Sequence, residues 1–430
     1  MIGGRYFHEG RGERMAERII YHVDVNSAFL SWSAVERLRE DPTSVDLRTI
    51  PSAVCGDKES RHGIITAKSI PSKKYHIETG EPVVKALEKC PDLVLVEGHY
   101  HVYSEYSRAL MDLLRKYAPV VDQYSIDEAF CDMTGTRSLY GDPIEFAYKL
   151  KDEIYETLGF SVNVGISSNK LLAKMASDFE KPNKVHTLFP EEVPEKMWPL
   201  PVGDLFLVGK STGESLRQIG IKTIFELAHT DEDLLVSRFK SFGHTLYEYA
   251  NGRDGSEKGK DSMGHSHDVA NKSFSNEITI SHDIIDREEA RLVILSLAET
   301  LGSRLRNSHF RVSVIAAYFK DSDFKTHSKQ LTIDHNTDST DELYENGMKL
   351  FDMLWHGEPI RLIGLSGAKA EEEGTPEQMS LFGNEERERR EKLDRAIDIV
   401  RGKYGSSAIK RASLMADKDR KRVPRPGDKH

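Results

Sequence analysis

The sequence predicts a multidomain α+β protein, and three observations carry that expectation. Its 430 residues exceed what one hydrophobic core usually supports, which sets a count of two to four domains at roughly 100–200 residues each. Short runs of strand formers alternate with helix-period segments through Lys181-Pro182, the pattern of an α/β or α+β core domain. Composition then shifts near Leu200 and again across the Gly-, Ser-, Asp- and Lys-rich stretch 252–267, which reads as a linker to a further domain.

Composition narrows the function classes. The chain carries 60 Lys+Arg against 70 Asp+Glu, a net charge of −10, so any nucleic-acid contact has to come from local basic patches rather than overall charge. Its three cysteines, Cys55, Cys90 and Cys131, form no Cys-x-x-Cys pair, which supports neither a zinc site nor a disulfide framework and suits a reducing, cytoplasmic setting. No run approaches the ~20 apolar residues of a membrane span, so a membrane partner is not expected. Residues 1–18 are polar and aperiodic and are expected to be disordered, and Met15 offers an alternative start with Met1–Arg14 as an upstream extension.

The first strand begins near Ile19 and runs into Tyr21-His22-Val23-Asp24-Val25-Asn26, strand formers interrupted by one acid. Strand-like runs 52–55 and 63–67 follow, then the basic turn Lys68–Tyr75 with Lys73 and Lys74, which reads either as a phosphate contact or as a solvated loop. Tyr124-Ser125-Ile126-Asp127-Glu128-Ala129-Phe130 sets two adjacent carboxylates in an apolar, β-prone run, where bare acids are costly unless a cation neutralises them. A helix is predicted over Pro143–Leu158, a strand over Ser161–Gly165, and a second helix capped by Ser167 or Ser168, with Leu171, Leu172, Met175 and Phe179 on one face. Asp24 and Asp127-Glu128 are expected on neighbouring strands, sharing one metal site.

Beyond Leu200, Val208-Gly209-Lys210-Ser211 leads into a helix, and Ile219–Ile224 follows. After the linker come a strand from Lys272 to Ile280, a helix over Arg287–Arg306 and strands at Phe310–Phe319, Lys329–Ile333 and Ile360–Leu365. Past Gly367 the chain turns acidic and small, and there Gln378-Met379-Ser380-Leu381-Phe382 exposes Leu-Phe in a charged tail. Leu393, Ala396, Ile397 and Val400 mark an amphipathic helix ending at Gly402 or Gly405, and residues 417–430 form a basic tail.

Asp24 in its strand, Ser125-Ile126-Asp127-Glu128-Ala129, the Gly165–Phe179 segment and Lys181-Pro182-Asn183 together resemble the Y-family DNA polymerases of the DNA polymerase IV type, from about Ile19 to about Met415. The resemblance implies a right-hand polymerase: a ferredoxin-like palm (19–27 and 99–188), small fingers (28–98), a helix-hairpin-helix thumb (189–252), a linker (253–270), an α/β little finger (271–368) and a tail (369–430). It implies low-fidelity, distributive translesion synthesis by a monomeric enzyme acting on primed DNA and dNTP. Two Mg²⁺ ions would be held by Asp24, Asp127, Glu128 and the Val25 carbonyl. Phe29, five residues after Asp24, matches the steric gate against ribonucleotides, and Lys73, Lys74 and Lys181 fall where the triphosphate is held. Gly209, Lys210 and Ser211 match a phosphate-binding hairpin, while Lys272, Arg311, Lys325 and Lys329 are candidate backbone contacts of the little finger. Gln378–Phe382 resembles the peptide that docks on the sliding clamp.

Three positions depart from the family pattern. Ile70 and Lys73 stand where a Tyr and an Arg usually grip the triphosphate, and Leu207 replaces the first hairpin glycine. Ile70 and Leu207 motivate one alternative, a catalytically inactive scaffold recruited to the clamp. A metal-dependent nucleotidyl cyclase shares the paired acidic strands but leaves the later segments unexplained.

Overall fold

A strand covered on both faces organises the first half of the molecule. The computed structural model describes residues 18–56, 63–255, 273–372, 384–405 and 408–414. They fall into two compact units, one within Met1–Lys58 and Gly63–Ser266, the other chiefly His267–His430.

In the first unit, β1 (Ile20–Val25) leads into α1 (Ala28–Glu40), followed by β2 (Ser52–Cys55), β3 (Ile65–Lys68), α2 (Val83–Lys89) and β4 (Val94–Glu97). Next come α3 (Tyr100–Leu114), β5 (Val120–Gln123), β6 (Glu128–Asp132), α4 (Arg137–Tyr140), α5 (Pro143–Leu158), β7 (Val162–Ser167), α6 (Lys170–Ser177) and β8 (Val185–Thr187). The main sheet has the order β5-β6-β1-β7-β8, antiparallel except for β7 with β8. A smaller sheet has the order β3-β2-β4. Central placement explains why Ile20, Tyr21, His22 and Val23 are all buried rather than alternating.

Local signals set the helix bounds. Helix α5 starts where Asp142 accepts from Ile144 N at 2.9 Å with Pro143 at its first position, and stops at Gly159, whose φ of 83° suits glycine. Helix α6 is capped not by Ser167 or Ser168 but by Asn169, whose side chain accepts from Leu172 N at 2.8 Å. The expected single apolar face understates its burial: all eight residues of α6 are buried, Lys170 and Lys174 included. One side lies on β7, where only glycine fits at Gly165, since a Cβ there would lie 1.9 Å from Ala173 O. The other side joins Leu171, Leu172 and Met175 to a helical bundle of α7 (Lys210–Gln218), α8 (Ile224–Ala228), α9 (Glu232–Phe239) and α10 (Ser241–Ala250). The predicted linker also begins on anchored residues, since Asn169 Nδ2 donates to Gly252 O at 2.9 Å and the buried Asp254 accepts from Lys170 N at 3.2 Å.

The second unit follows the order β9 (Ser273–Ile284), α11 (Arg287–Asn307), β10 (Phe310–Asp321), β11 (Thr326–Thr337), α12 (Thr340–Leu354) and β12 (Ile360–Glu372). Its antiparallel sheet, β11-β10-β12-β9, shares a core with α11 through Ile294, Leu297 and Leu301 and with α12 through Phe351. Three expectations need correction: α12 was not anticipated, β11 is longer than Lys329–Ile333, and β12 continues to Glu372, into the stretch read as tail.

The C-terminal helix α13 (Asn384–Tyr404) also differs in how it docks. Of the expected apolar face, Leu393 is 56% exposed, and neighbouring Ile399 is 72% exposed. The helix is held by charge instead. Arg306 Nε donates to Asp398 Oδ2 at 2.6 Å, Arg311 Nη2 to Glu391 Oε2 at 3.2 Å and Arg401 Nη2 to Glu299 Oε2 at 3.2 Å. Buried Asp394 accepts from Thr340 N at 2.8 Å, capping α12, whose own Ser339 side chain makes no cap bond.

Candidate active site

The adjacent strands β1 and β6 bring the predicted acids together: Asp24 pairs directly with Glu128, and Val25 N donates to Asp127 O at 3.1 Å. Asp127 occupies the tight turn before β6, where Tyr124 N and Ser125 N both donate to Glu128 O, at 3.0 and 3.1 Å. Ser125 Oγ then donates to Asp127 Oδ1 at 2.6 Å and orients that carboxylate.

Each of the other two carboxylates meets a lysine. Lys181 Nζ donates to Asp24 Oδ2 and lies 2.8 Å from Asp178 Oδ1. Burial raises the Asp24 carboxyl although Lys181 opposes the shift. Burial works against the Lys181 ammonium, but Asp24 and Asp178 outweigh it and its pKa rises. Lys174 Nζ donates to Glu128 Oε2 at 2.5 Å, and His22 Nε2 lies 3.0 Å from the same oxygen. Burial would raise Glu128, yet the neighbouring His22 and Lys174 hold it at about 2. Burial lowers the His22 ring, whose Nδ1 is 2.8 Å from Ser177 Oγ.

As a metal site the donor chemistry fits hard divalent cations, because three carboxylates and a strand-end carbonyl supply only oxygen. Among the described residues no three acidic, His or Cys side chains already converge as a cage. The reason is visible in the pairings: Asp24 faces Lys181, Glu128 faces Lys174 and Asp127 faces Ser125.

Phe29 lies in the first turn of α1, near the end of β1, stacked on Tyr103 at 4.7 Å with Tyr100 edge-on at 5.7 Å. It stays partly exposed, whereas the neighbouring Trp32 is fully buried. Lys73 and Lys74 are exposed on a 3₁₀ turn, Pro71–Tyr75. Serines pin that turn to β2, with Ser72 Oγ donating to Ser52 O at 2.9 Å and Ser69 Oγ donating to Ile50 O at 2.7 Å. Gly209 is the N-cap of α7 with no side-chain cap, and Lys210 and Ser211 are exposed in the first turn. Leu207 adopts a φ of 68°, in the left-handed region that favours glycine.

In the second unit, Lys325 and Lys329 are exposed, the first just before β11 and the second within it. Arg311 is half-buried and committed to Glu391, with Asp338 Oδ2 at 3.6 Å from its Nε. Lys272 and Gln378–Phe382 lie outside the described residues. Sequence reasoning missed His22 and Lys174. The signal for Lys174 was a lysine in the otherwise apolar run Leu171–Ala176.

Residues 23–178 match the impB/mucB/samB family, residues 190–221 the family's HHH motif and residues 271–381 its C-terminal domain. A DNA polymerase IV of Clostridium acetobutylicum is 43% identical over 94% of this chain and 100% of its own length. A DNA polymerase IV of Acetivibrio thermocellus is 33% identical over 95% of this chain and 100% of its own, and DNA polymerase IV 1 of Bacillus subtilis is 32% identical over 94% and 95%. Among solved structures, a Y-family DNA polymerase chimera is similar at a TM-score of 0.66 and 24% identity, covering 81% of this chain and 98% of that one, a likeness of fold.

Proposed function

The chain belongs to the impB/mucB/samB family and is a DNA-directed DNA polymerase of the translesion class, and we propose that Asp24, Asp127 and Glu128 are its catalytic carboxylates. It acts on primed DNA and dNTP and depends on a divalent metal. The finer reading is that two Mg²⁺ ions are held by those carboxylates and the Val25 carbonyl. When bound, the ions would lower the barrier by activating the primer 3′-hydroxyl and stabilising the pyrophosphate. The chain's own residues orient the reactants: Phe29 underlies the incoming sugar, and Lys73, Lys74 and Lys181 draw in the triphosphate by charge.

The observation that carries this reading is the direct pairing of Asp24 with Glu128, with Asp127 joined to Val25 through the backbone. A strand former such as Val at positions 24 and 128 would be cheaper to seat there. Residues 19–27 and 99–188 then serve as palm, 28–98 as fingers, 189–252 as thumb and 271–368, extended along β12 to Glu372, as little finger. Gly209, Lys210 and Ser211 hold a DNA phosphate at the start of α7. Lys272, Lys325 and Lys329 touch the duplex backbone. Arg311 is a weaker candidate because its partners are carboxylates.

Gln378–Phe382 docks on the sliding clamp, raising local concentration at the primer end. The enzyme works as a monomer in the cytoplasm; among the described residues no helix is long and apolar enough to cross a membrane. The inactive-scaffold reading draws on Ile70 and Leu207, and the intact Asp24, Asp127 and Glu128 weigh against it.

Primer extension with dNTP and Mg²⁺ tests the reading, with folded Asp127→Ala beside the unaltered chain. Short distributive products that vanish in the variant are expected. Equal extension by both proteins would exclude Asp127 from the chemistry, and no extension by either while both bind primed DNA would favour the scaffold. Deleting Gln378–Phe382 is expected to abolish clamp binding and leave distributive extension intact; retained clamp binding would refute the docking role.

A further inference from the structure

Lys174 is buried on every side, and its surroundings are specific. Its side chain is 11% exposed, its Nζ donates to Glu128 Oε2 at 2.5 Å, and it lies 5.6 Å from the centre of the Tyr124 ring and 5.5 Å from that of Phe206. The two rings meet edge to face at 6.3 Å, so the ammonium is bracketed by two π faces and one carboxylate. Lys170, one turn earlier on α6, is already matched by Asp122 at 2.8 Å, so it does not compete for Glu128. His22 approaches the same Glu128 oxygen at 3.0 Å, but its Nε2 makes no hydrogen bond of acceptable geometry. Lys174 therefore holds the carboxylate by a directed hydrogen bond, with His22 beside the same oxygen.

The bracket joins two parts of the first unit. Tyr124 immediately precedes the Ser125–Glu128 turn, whereas Phe206 opens Phe206-Leu207-Val208-Gly209, the segment that leads through the left-handed Leu207 into α7. Phe206 N also donates to Met175 Sδ at 3.4 Å, which ties the segment to the residue next to Lys174. A displacement of this segment reaches Glu128 through one side chain.

We propose that Lys174 is a positioning residue of the polymerase reaction: it holds Glu128 Oε2, leaves Oε1 to face the reacting centre, and links that orientation through Phe206 to the segment entering α7. The proposal rests on the reading of Glu128 as a metal ligand. A freely rotating Glu128 would still carry its charge but would present it in several geometries. Loss of Lys174 should therefore lower turnover more than it lowers cation binding.

The test uses the full chain, with Glu128→Gln as the control for the underlying reading. Mn²⁺ binding is titrated by electron paramagnetic resonance in a complex with dNTP and primed DNA lacking the primer 3′-hydroxyl, and single-nucleotide kcat and KM are measured in parallel. For Lys174→Met, which retains the length and packing of the stem, kcat is expected to fall about 10- to 100-fold, with Mn²⁺ affinity and dNTP KM each within about threefold. Lys174→Arg should recover part of kcat. Phe206→Leu should lower kcat, and combining it with Lys174→Met should cost less than the product of the two separate losses.

A Lys174→Met kcat within about twofold of the unaltered chain would overturn the positioning role. Parallel loss of kcat and Mn²⁺ binding would overturn it too, since that is the signature of general disruption. Multiplicative losses in the double variant would sever the link to Phe206. If Glu128→Gln altered neither Mn²⁺ binding nor kcat, the assignment of Glu128 as a ligand would fail instead, separately from the role of Lys174.

Discussion

Replacing Asp394 by Ala tests how the C-terminal helix is held, because charge and apolar docking assign opposite costs to two neighbouring residues. Asp394 is buried, accepts from Thr340 N at 2.8 Å and lies 3.3 Å from Arg306 Nη1. Losing the cap of α12 should cost about 1 kcal/mol. Arg306 keeps Asp398 Oδ2 and Asp338 O, both at 2.6 Å, so it is not stranded, and its share should fall near about 2 kcal/mol rather than the full cost of breaking a buried pair. The sum, about 3 kcal/mol, corresponds to roughly 6–12 °C for a unit of this size. Leu393→Ala, next along the helix but mostly exposed, should cost under about 0.5 kcal/mol. Calorimetry of the second unit's transition and amide exchange at Thr340 provide the readouts. An Asp394→Ala loss below about 0.5 kcal/mol, or a Leu393→Ala loss equal to it, would refute charge docking.

Three further outcomes are expected. Phe29→Ala should reduce discrimination against ribonucleotides by about 10- to 200-fold in the ratio of kcat/KM values, and an unchanged ratio would leave Phe29 as packing alone. Gly165→Ala puts a Cβ 1.9 Å from Ala173 O, and restoring an ordinary 3.4 Å contact needs α6 to move by about 1.5 Å, so stability should drop by about 1–3 kcal/mol and Lys174 should shift away from Glu128. Wild-type melting and turnover in that variant would contradict the close approach. At Leu207, where φ is 68°, the Gly variant should be more stable than the Ala variant by about 1 kcal/mol in urea unfolding, the reverse of the order in a helix interior.

How far the fold was legible depends on where each signal lies along the chain. Helix α5 could be read to the residue because its cap, its first-position proline and its terminal glycine are all local. Helix α12 could not: its N-terminus is capped by Asp394, 54 residues downstream, and Gly347 interrupts its middle to make room for Leu365. The acidic pair was legible because a carboxylate among strand formers is conspicuous whatever its tertiary setting. Lys174 was legible only as a lysine out of place in the apolar run Leu171–Ala176, since nothing there says that a carboxylate and two rings await it. Arg311 shows the converse, a charge that reads as a phosphate contact in isolation but is matched by Glu391 on a helix 80 residues away.

The two lysines at the carboxylates have different means of release. Lys181 is 33% exposed and has Asp178 at 2.8 Å as a second partner, so it can give up Asp24 without becoming an unpaired buried charge. Lys174, three times less exposed and closed in by Tyr124 and Phe206, has no second carboxylate at salt-bridge distance among the described residues. An arriving cation or triphosphate can therefore displace Lys181 at low cost, and Lys181 can follow the negative charge onto the nucleotide, while Lys174 stays with Glu128. On this division Lys181→Ala should appear mainly as a raised KM for dNTP and Lys174→Met mainly as a lowered kcat. A single common effect of both variants on KM would mean that the two ammoniums are interchangeable counter-charges, which their unequal burial argues against.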